Sequence, residues 1–319
     1  MEGEGAMGYG SCVRLLSFLY LFLLVSIGCR PKDYNLLHPL QALPGICRES
    51  EIIDCGQLRV HWVAYYPDRK GLLPAILVHA DAGGFAEDME GICLDLAQRG
   101  YFAAAAHYQR LENLKDKSPL IPCRTFEEGA TAYRHLLEHP RVDSRCVGLL
   151  GFSKGGTHSL LIAATEPGVK AVVAYYPLID FEEWLDMSRN SFPKSLRLWV
   201  LRRHIMKGLR VTSWDEALFQ IRTASPINHV PRIDAPILLI HGEMDHTVPV
   251  GQSERFCQEL KAAGKSCELF IIPEAGHVFN FRDKHLGGAA WEKTLQFLDQ
   301  HLKRFPPSSP TDGDCLEKS

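Results

Sequence analysis

Several features that define other classes of protein are missing from this sequence. None of the 10 cysteines belongs to a CxxC pair, which argues against a zinc ribbon or a thioredoxin-like redox site. Positive charge is not in excess, because 35 Lys and Arg face 38 Asp and Glu for a net charge of -3. No RNA- or DNA-reading motif occurs either, so we expect no nucleic-acid partner. No internal repeat is visible, which argues against a solenoid or propeller.

The composition that remains is typical of a folded globular protein. Hydrophobic residues make up 46% of the 319 residues and charged residues 23%, close to average usage. The length allows one large domain or two small ones, at roughly 100–200 residues per domain. With 15 Phe, 10 Tyr and 5 Trp, the chain has enough large apolar side chains for a sizeable core.

The N-terminal region contains an uncharged apolar run at residues 15–28. It is shorter than the roughly 20 residues of a membrane-spanning helix and matches the apolar region of an export signal, which has about 7–15 residues. Initiation at Met7 instead of Met1 would remove Glu2 and Glu4 and leave the positively charged start typical of such signals.

The apolar run ends in Gly28-Cys29, preceded by Ser26. A small residue directly before a cysteine resembles the lipobox of bacterial lipoproteins, although leucine is usual where Ser26 stands. We therefore predict a lipoprotein-type signal peptide over residues 1–28, lipidation at Cys29, and an exported protein attached to a membrane through its N-terminus. A plain cleaved signal and a retained anchor are the alternatives.

Export would place the remaining cysteines in an oxidising compartment. Cys47 and Cys55 are close enough in sequence to bridge, and so are Cys257 and Cys267. Buried free thiols are the alternative, because free cysteine is among the most buried residue types.

Strands and helices alternate along the rest of the chain. Short apolar runs predict strands at 58–66, 74–79, 101–106, 147–150, 169–176, 236–241 and 268–272. Helical patterns lie at 87–98, 126–137, 155–164, 253–263 and 289–302. This alternation predicts an α/β fold, with a mostly parallel sheet, right-handed crossovers and helices on both faces. We expect an N-terminal extension at 29–56, the α/β domain at 57–304 and a disordered tail at 305–319.

One segment interrupts this alternation between two core strands. We predict a short helical cap at about 178–232, because Leu198, Leu201, Ile205 and Leu209 follow a helical spacing. Residues 187–214 contain seven Lys or Arg and no Asp or Glu. Three interpretations of these charges are open: a solvated helix face, a surface that attracts an anionic substrate, or a contact with an anionic membrane surface.

The strongest local signal is GFSKGG at residues 151–156, which fits G-x-S-x-G. It follows a predicted strand and opens a predicted helix, the context that a nucleophile elbow requires. The sharp turn raises the serine Oγ above the sheet, and the flanking glycines remove side chains that would clash. Ser153 is therefore the candidate nucleophile.

A serine hydroxyl needs a general base, and the base needs an orienting carboxylate. Asp245 follows the predicted strand 236–241, and His277 follows the strand 268–272. The order Ser, Asp, His is the one that elbow nucleophiles use, and the carboxyl ends of parallel strands lie at one edge of the sheet. Glu243 is the rival acid and His246 the competing histidine.

Three other histidines are weaker candidates for the base. His79 and His241 end buried strands and are expected to be structural, and His158 is too near Ser153 in sequence.

The tetrahedral intermediate of acyl transfer needs two N–H donors. One is expected from the backbone of Lys154, directly after the nucleophile. The other is expected from the glycine-rich loop after the strand 74–79, at Ala80 or Asp81. A simple tight turn is the alternative interpretation of that loop.

Four segments together resemble the dienelactone hydrolase family of α/β-hydrolases: GFSKGG, PGVKAVVAYYP, APILLIHGEMDHTVP and EAGHVFNF. The resemblance covers residues 58–302. It implies a single-domain α/β-hydrolase fold with no metal or organic cofactor, and an enzyme acting on a small ester or lactone. It also carries the nucleophile, acid and base roles to Ser153, Asp245 and His277. The founding members use cysteine as nucleophile, and their substrate-gripping arginines have no match here.

Two other functions remain open at this point. The segment SPINHVPRIDAPILLIHGEMDHTVP also resembles the catalytic domain of prolyl oligopeptidase-type peptidases, so a peptidase acting on short peptides is one alternative. The other is a non-catalytic, membrane-anchored binding module, because a fold does not determine a function.

Overall fold

A computed structural model of the chain describes residues 32–41, 43–55, 58–82, 84–110, 126–187, 202–203, 205–207 and 209–303. The predicted signal peptide, the lipidation at Cys29 and the tail at 305–319 lie outside these residues. Within the described ranges, no helix is long and apolar enough to cross a membrane.

One eight-stranded sheet organises the described fold. Its strands are β1 (Ile46–Cys55), β2 (Leu58–Pro67), β3 (Leu73–His79), β4 (Phe102–Arg110), β5 (Val142–Phe152), β6 (Val169–Tyr175), β7 (Ile237–Gly242) and β8 (Cys267–Ile272). They lie in the order β1-β2-β4-β3-β5-β6-β7-β8. Strands β3 to β8 are joined by parallel pairs, whereas β2 is antiparallel to both β1 and β4. The predicted mostly parallel α/β fold is confirmed.

Helices cover both faces of this sheet. In the described part of the chain they are α1 (Glu90–Gln98), α2 (Phe126–Glu138), α3 (Lys154–Thr165), α4 (Phe181–Met187), α5 (Trp214–Thr223), α6 (Gly251–Ala262) and α7 (Lys284–Leu302). Short 3-10 turns occur at Glu87–Met89, Pro226–Arg232 and Phe279–Phe281.

The side chains of each strand alternate between two apolar cores. On β3, Ile76 and Val78 face the core under α1 and α7, while Ala75 and Leu77 face the core under α2, α3 and α6. A strand buried on both faces has no polar side to show. The short, wholly apolar runs of the sequence therefore marked these central strands.

The edge strand β1 occupies part of the segment predicted as an extension, and it decides one cysteine pairing. Cys47 and Cys55 lie at opposite ends of β1, about 26 Å apart at roughly 3.3 Å per residue. A disulfide needs Cα atoms about 5.5–6 Å apart. The Cys47–Cys55 bridge is therefore wrong, and Cys47 is free. Cys257 and Cys267 do form a disulfide, with Cα atoms 5.6 Å apart.

Between β6 and β7, the described residues of the predicted cap have a small core of their own. Residues 202–203, 205–207 and 209 are helical, alongside α4 and α5. The buried members of this core are Phe181, Leu209, Ala217, Ile221 and Ala224. Trp184 on α4 donates its indole N–H to the carbonyl oxygen of Thr247, at 2.8 Å. Half of the basic stretch, residues 188–201, lies outside the described residues.

Candidate active site

Ser153 lies at a strained turn between β5 and α3. Its backbone has φ 51° and ψ -117°, a region that residues with a side chain rarely adopt. A Cβ on Gly151 would lie 2.2 Å from the carbonyl oxygen of Gly155, and a Cβ on Gly155 would lie 2.3 Å from that of His79. The two glycines of the motif are therefore required by backbone contacts, as the elbow interpretation predicted.

The structure brings Ser153, His277 and Asp245 into one hydrogen-bonded chain. The Ser153 Oγ lies 3.0 Å from His277 Nε2, and His277 Nδ1 lies 2.6 Å from Asp245 Oδ2. With a neutral imidazole, Nδ1–H donates to the carboxylate, which leaves Nε2 to accept the serine proton. The three residues come from loops after β5, β7 and β8, so they meet at the carboxyl edge of the sheet.

Backbone contacts hold the acid loop against the histidine loop. A Cβ on Gly242 would lie 2.4 Å from the carbonyl oxygen of Ala275, so only glycine permits this approach. The N–H of Met244 donates to the same oxygen at 2.9 Å. On the other side, the Arg282 guanidinium donates to the carbonyl oxygen of His277 at 3.2 Å. The distance between Asp245 and His277 is thus fixed by main-chain geometry.

The Asp245 carboxylate is buried and surrounded by donors. The backbone N–H groups of Thr247 and Val248 both donate to Oδ1 at 2.8 Å, and His241 Nε2 lies 3.3 Å from Oδ2. Burial alone would raise the pKa of Asp245, but the hydrogen bonds from His241, His277 and Val248 hold it well below its ordinary value. Asp245 therefore remains ionised beside His277.

The other candidates for the acid and the base do not belong to this hydrogen-bonded chain. Glu243 and His246 are exposed. His79 is buried with Nδ1 3.0 Å from the Ser159 hydroxyl, and burial lowers the pKa of His79 to about 3. The His158 ring packs edge-on against His79, with centroids 6.5 Å apart. His79 thus fits the structural role expected of it.

His241 does more than end a strand. Its Nδ1 lies 2.8 Å from the Ser253 hydroxyl and its Nε2 2.9 Å from the carbonyl oxygen of Val248, besides the contact with Asp245. It was expected to be structural, and it also supports the acid. Its only sequence signal is its spacing, four residues before Asp245.

Tyr176 is a second site residue that sequence reasoning missed. It directly follows β6 with φ 39°, and its ring packs edge-on against the His277 ring, with centroids 4.7 Å apart. Its hydroxyl donates to Asn280 Oδ1 at 2.6 Å. Tyr176 therefore forms one wall around the imidazole. Its position at the carboxyl end of the strand beside β5 was a usable signal.

The two segments expected to form the oxyanion hole lie against each other. Lys154 directly follows Ser153 and opens α3. A Cβ on Gly155 would lie 2.4 Å from the carbonyl oxygen of Ala80, so the loop after β3 touches the first turn of that helix. Asp81 in this loop is only 5% exposed. The choice of Ala80 or Asp81 as second donor stays a prediction.

Among the described residues, one group brings metal-ligating atoms within 4.8 Å of one another: His61, Glu87 and His107. The two imidazoles stack with centroids 4.3 Å apart and planes at 16°, so their in-plane lone pairs do not converge on one point. His107 Nδ1 already accepts the N–H of Ala86 at 3.0 Å. This arrangement is a stacked histidine pair and does not fit a coordination sphere.

Comparison with known proteins finds relatives that match most of this chain. A Yersinia pestis protein assigned as a carboxymethylenebutenolidase is 26% identical over 281 residues, which cover 83% of this chain and 92% of the relative. A Bradyrhizobium protein assigned as a 2-oxo-3-(5-oxofuran-2-ylidene)propanoate lactonase is 26% identical, over 77% of this chain and 91% of the relative.

Among solved structures, a protein from Klebsiella pneumoniae assigned as a dienelactone hydrolase shares the fold. Its TM-score is 0.59 at 22% identity, over 80% of this chain and 99% of that one. The family model described as the dienelactone hydrolase family matches residues 61–302. The chain therefore belongs to the dienelactone hydrolase family.

Proposed function

We propose that this protein is a serine hydrolase that cleaves carboxylic esters or lactones through an acyl-enzyme. The observation that carries the proposal is the unbroken hydrogen-bonded chain from Ser153 through His277 to the ionised Asp245, mounted on a strained elbow. Family membership supports the ester or lactone class, and two relatives bear the names of lactone-cleaving enzymes.

The reaction has two halves. His277 Nε2 takes the hydroxyl proton while Ser153 Oγ attacks the carbonyl carbon, and Asp245 stabilises the imidazolium that forms. Collapse of the tetrahedral intermediate breaks the bond to the alcohol oxygen, which receives the proton from His277. A water molecule then gives a proton to His277 and attacks the acyl carbon. Collapse of this second intermediate breaks the bond to Ser153 Oγ, which takes the proton back from His277 as the acid leaves. In a lactone the alcohol and the acid are parts of one molecule.

The oxyanion of each intermediate would be bound by the Lys154 N–H and a second N–H at Ala80 or Asp81. Each such donor contributes roughly 10²–10³-fold to turnover in comparable sites. The proximity of the β3 loop to the start of α3 supports this pairing.

Labelling with a fluorophosphonate, followed by mass spectrometry of the adduct, tests the nucleophile. We expect one adduct on Ser153, and hydrolysis of a short p-nitrophenyl ester that Ser153→Ala lowers by several orders of magnitude. A Ser159→Ala variant, which changes a buried serine on the adjacent helix α3, is the control and should still be labelled. Substantial turnover by folded Ser153→Ala would overturn the assignment.

The same assay separates the alternatives. A peptidase would hydrolyse short peptide amides at least as well as esters. A binding module would hydrolyse neither and would give no adduct.

We also propose that the protein is exported and attached to a membrane by lipid on Cys29. The apolar run ending in Gly28-Cys29 motivates this proposal, and the Cys257–Cys267 disulfide supports an oxidising compartment. In a bacterial host, wild type should fractionate with membranes and Cys29→Ala should not. An intact mass that shows an unmodified Cys29, or retained residues 1–28, would contradict the lipoprotein assignment.

A further inference from the structure

Tyr34 contacts the site without any part in the mechanism described above. Its hydroxyl donates to Asp81 Oδ1 at 2.9 Å. Asp81 is the second residue after β3, in the loop expected to supply an oxyanion donor, and it is almost fully buried. The bond joins residues 47 positions apart, so the segment before the sheet is tied to the oxyanion loop.

The Tyr34 side chain also fills the space beside the loop. A Cβ on Gly84 would lie 2.9 Å from the Ala80 Cβ, 3.1 Å from Asp81 Oδ1 and 3.4 Å from the Tyr34 hydroxyl. The Tyr34 ring packs against Phe281 with centroids 4.8 Å apart. Glycine at position 84 therefore leaves the room in which the tyrosine hydroxyl meets the loop.

Phe281 extends this contact to the nucleophile. It lies four residues after His277, and its ring centroid is 5.0 Å from that of Phe152, the residue before Ser153. The Tyr34 ring is thus braced against a buried aromatic that touches the strand of the nucleophile. A hydroxyl held in this way has a fixed position relative to both the loop and the elbow.

The charge of Asp81 gives this contact a consequence for the reaction. Burial first, and then the charges of Asp81 and Asp245 among others, raise the pKa of the Tyr176 hydroxyl well above its ordinary value. The Asp81 carboxylate is thus one of the charges that act on the tyrosine packed against His277. A carboxylate free to turn beside the oxyanion would oppose the charge that develops there, because buried charges are weakly screened.

Tyr34 remains a donor over the working pH range. Burial and the Asp81 charge together raise the pKa of its hydroxyl above the ordinary value.

We propose that Tyr34 is a positioning residue for the oxyanion hole. Its hydroxyl fixes the Asp81 carboxylate, and through it the backbone of residues 80–81, where the second N–H donor is expected. The proposal rests on the proposed ester hydrolysis at Ser153. Because an oxyanion donor acts more strongly on the transition state than on the bound ester, a misplaced loop should lower kcat and leave KM nearly unchanged.

Steady-state hydrolysis of a p-nitrophenyl ester by Tyr34→Phe tests this inference. We expect kcat to fall at least about tenfold with KM within about twofold of wild type, since misplacement by about 1 Å can cost 10²-fold. The rate of fluorophosphonate labelling should fall in parallel. Tyr101→Phe is the matched control, because Tyr101 also donates to a carboxylate, Asp299 Oδ1 at 2.6 Å, away from the site. It should keep the wild-type kcat.

A double-mutant cycle with Asp81→Ala shows whether Tyr34 acts through Asp81. In that background, Tyr34→Phe should change kcat by less than about twofold, because its partner is already absent. An active wild type together with an unchanged kcat in Tyr34→Phe would overturn the positioning role alone. The positioning role would also be overturned if the kcat loss of the double variant equalled the product of the losses in Tyr34→Phe and Asp81→Ala. A wild type that hydrolyses no ester would overturn the proposed function as well.

Discussion

At the scale of single residues, Asp245 determines the charge state of the site. It is the one triad member whose side chain is wholly inaccessible to solvent, and a buried carboxylate remains ionised only when donors surround it. Two backbone N–H groups and two histidines provide that environment. The orientation of His277 therefore depends on a network that reaches back to β7 and forward to the residues after it.

Replacing Asp245 by Asn should lower kcat by about 10⁴-fold, as the same change does in a well-studied protease triad, because the amide favours the wrong imidazole tautomer. Steady-state hydrolysis of the p-nitrophenyl ester measures this loss. Glu243→Gln is the control: the exposed Glu243 lies two residues away and its variant should stay within about twofold of wild type. A larger loss in Glu243→Gln than in Asp245→Asn would make Glu243 the acid.

The sequence was sufficient to identify Ser153, Asp245 and His277 as candidates, because each follows an apolar strand and their order is restricted. It was not sufficient for Tyr34, Tyr176 or His241. Their importance comes from contacts between side chains of distant segments, such as the 47 positions between Tyr34 and Asp81. No periodicity encodes such a contact, because it depends on how the loops pack.

At the scale of single elements, the last helix shows how local patterns mislead. The sequence predicts its start at residue 289, whereas α7 begins at Lys284, where the Asp283 side chain accepts the N–H groups of His285 and Leu286. Gly287 and Gly288 weaken the helical pattern over that first turn. The edge strand β1 was missed for a related reason, since its sequence ICRESEIIDC has no alternating apolar face.

The two adjacent glycines of α7 should respond oppositely to alanine. A Cβ on Gly288 meets nothing within 4 Å, so Gly288→Ala should raise the free energy of unfolding by about 0.5–1 kcal/mol, the usual gain of alanine over glycine in a helix. A Cβ on Gly287 would lie 2.7 Å from Leu37 Cδ1 and 3.0 Å from the carbonyl oxygen of Asn280. Gly287→Ala should therefore lower the free energy of unfolding.

Urea unfolding of the two variants measures both changes. Each variant is the control for the other, because both make the same substitution in the same turn. A stabilised Gly287→Ala variant would mean that the backbone around Asn280 shifts at little cost to make room for the added Cβ.

At the scale of the whole molecule, the Cys257–Cys267 disulfide joins α6 to β8 near one edge of the sheet. For a closed loop of about ten residues, the chain-entropy argument gives roughly 2.5–3 kcal/mol of stability. A reducing agent should lower the free energy of unfolding of wild type by about that amount. It should leave the Cys257→Ala, Cys267→Ala double variant unchanged, and a shift in that variant would assign the effect to another cysteine.

His79 makes the free energy of unfolding of the whole fold sensitive to acid. The side chain is buried in the neutral form, and burial lowers its pKa to about 3, against roughly 6.5 in the unfolded chain. Between these values the unfolded chain binds a proton that the folded chain does not. Stability contributed by His79 is therefore complete above about pH 6.5 and is lost as the pH falls toward 3.

From pH 7.5 to pH 5.0 this loss should be on the order of 2 kcal/mol, at 1.36 kcal/mol for each of about 1.5 pH units below the unfolded pKa. His79→Asn removes the titrating group and keeps a polar atom for the Ser159 hydroxyl, 3.0 Å from Nδ1 in wild type. The variant is expected to be less stable at pH 7.5, because the smaller side chain leaves space. Its free energy of unfolding, measured in urea at both pH values, should nevertheless fall by about 2 kcal/mol less than that of wild type. Equal losses in the two proteins would show that His79 is protonated in the folded state or that it does not contribute to acid unfolding.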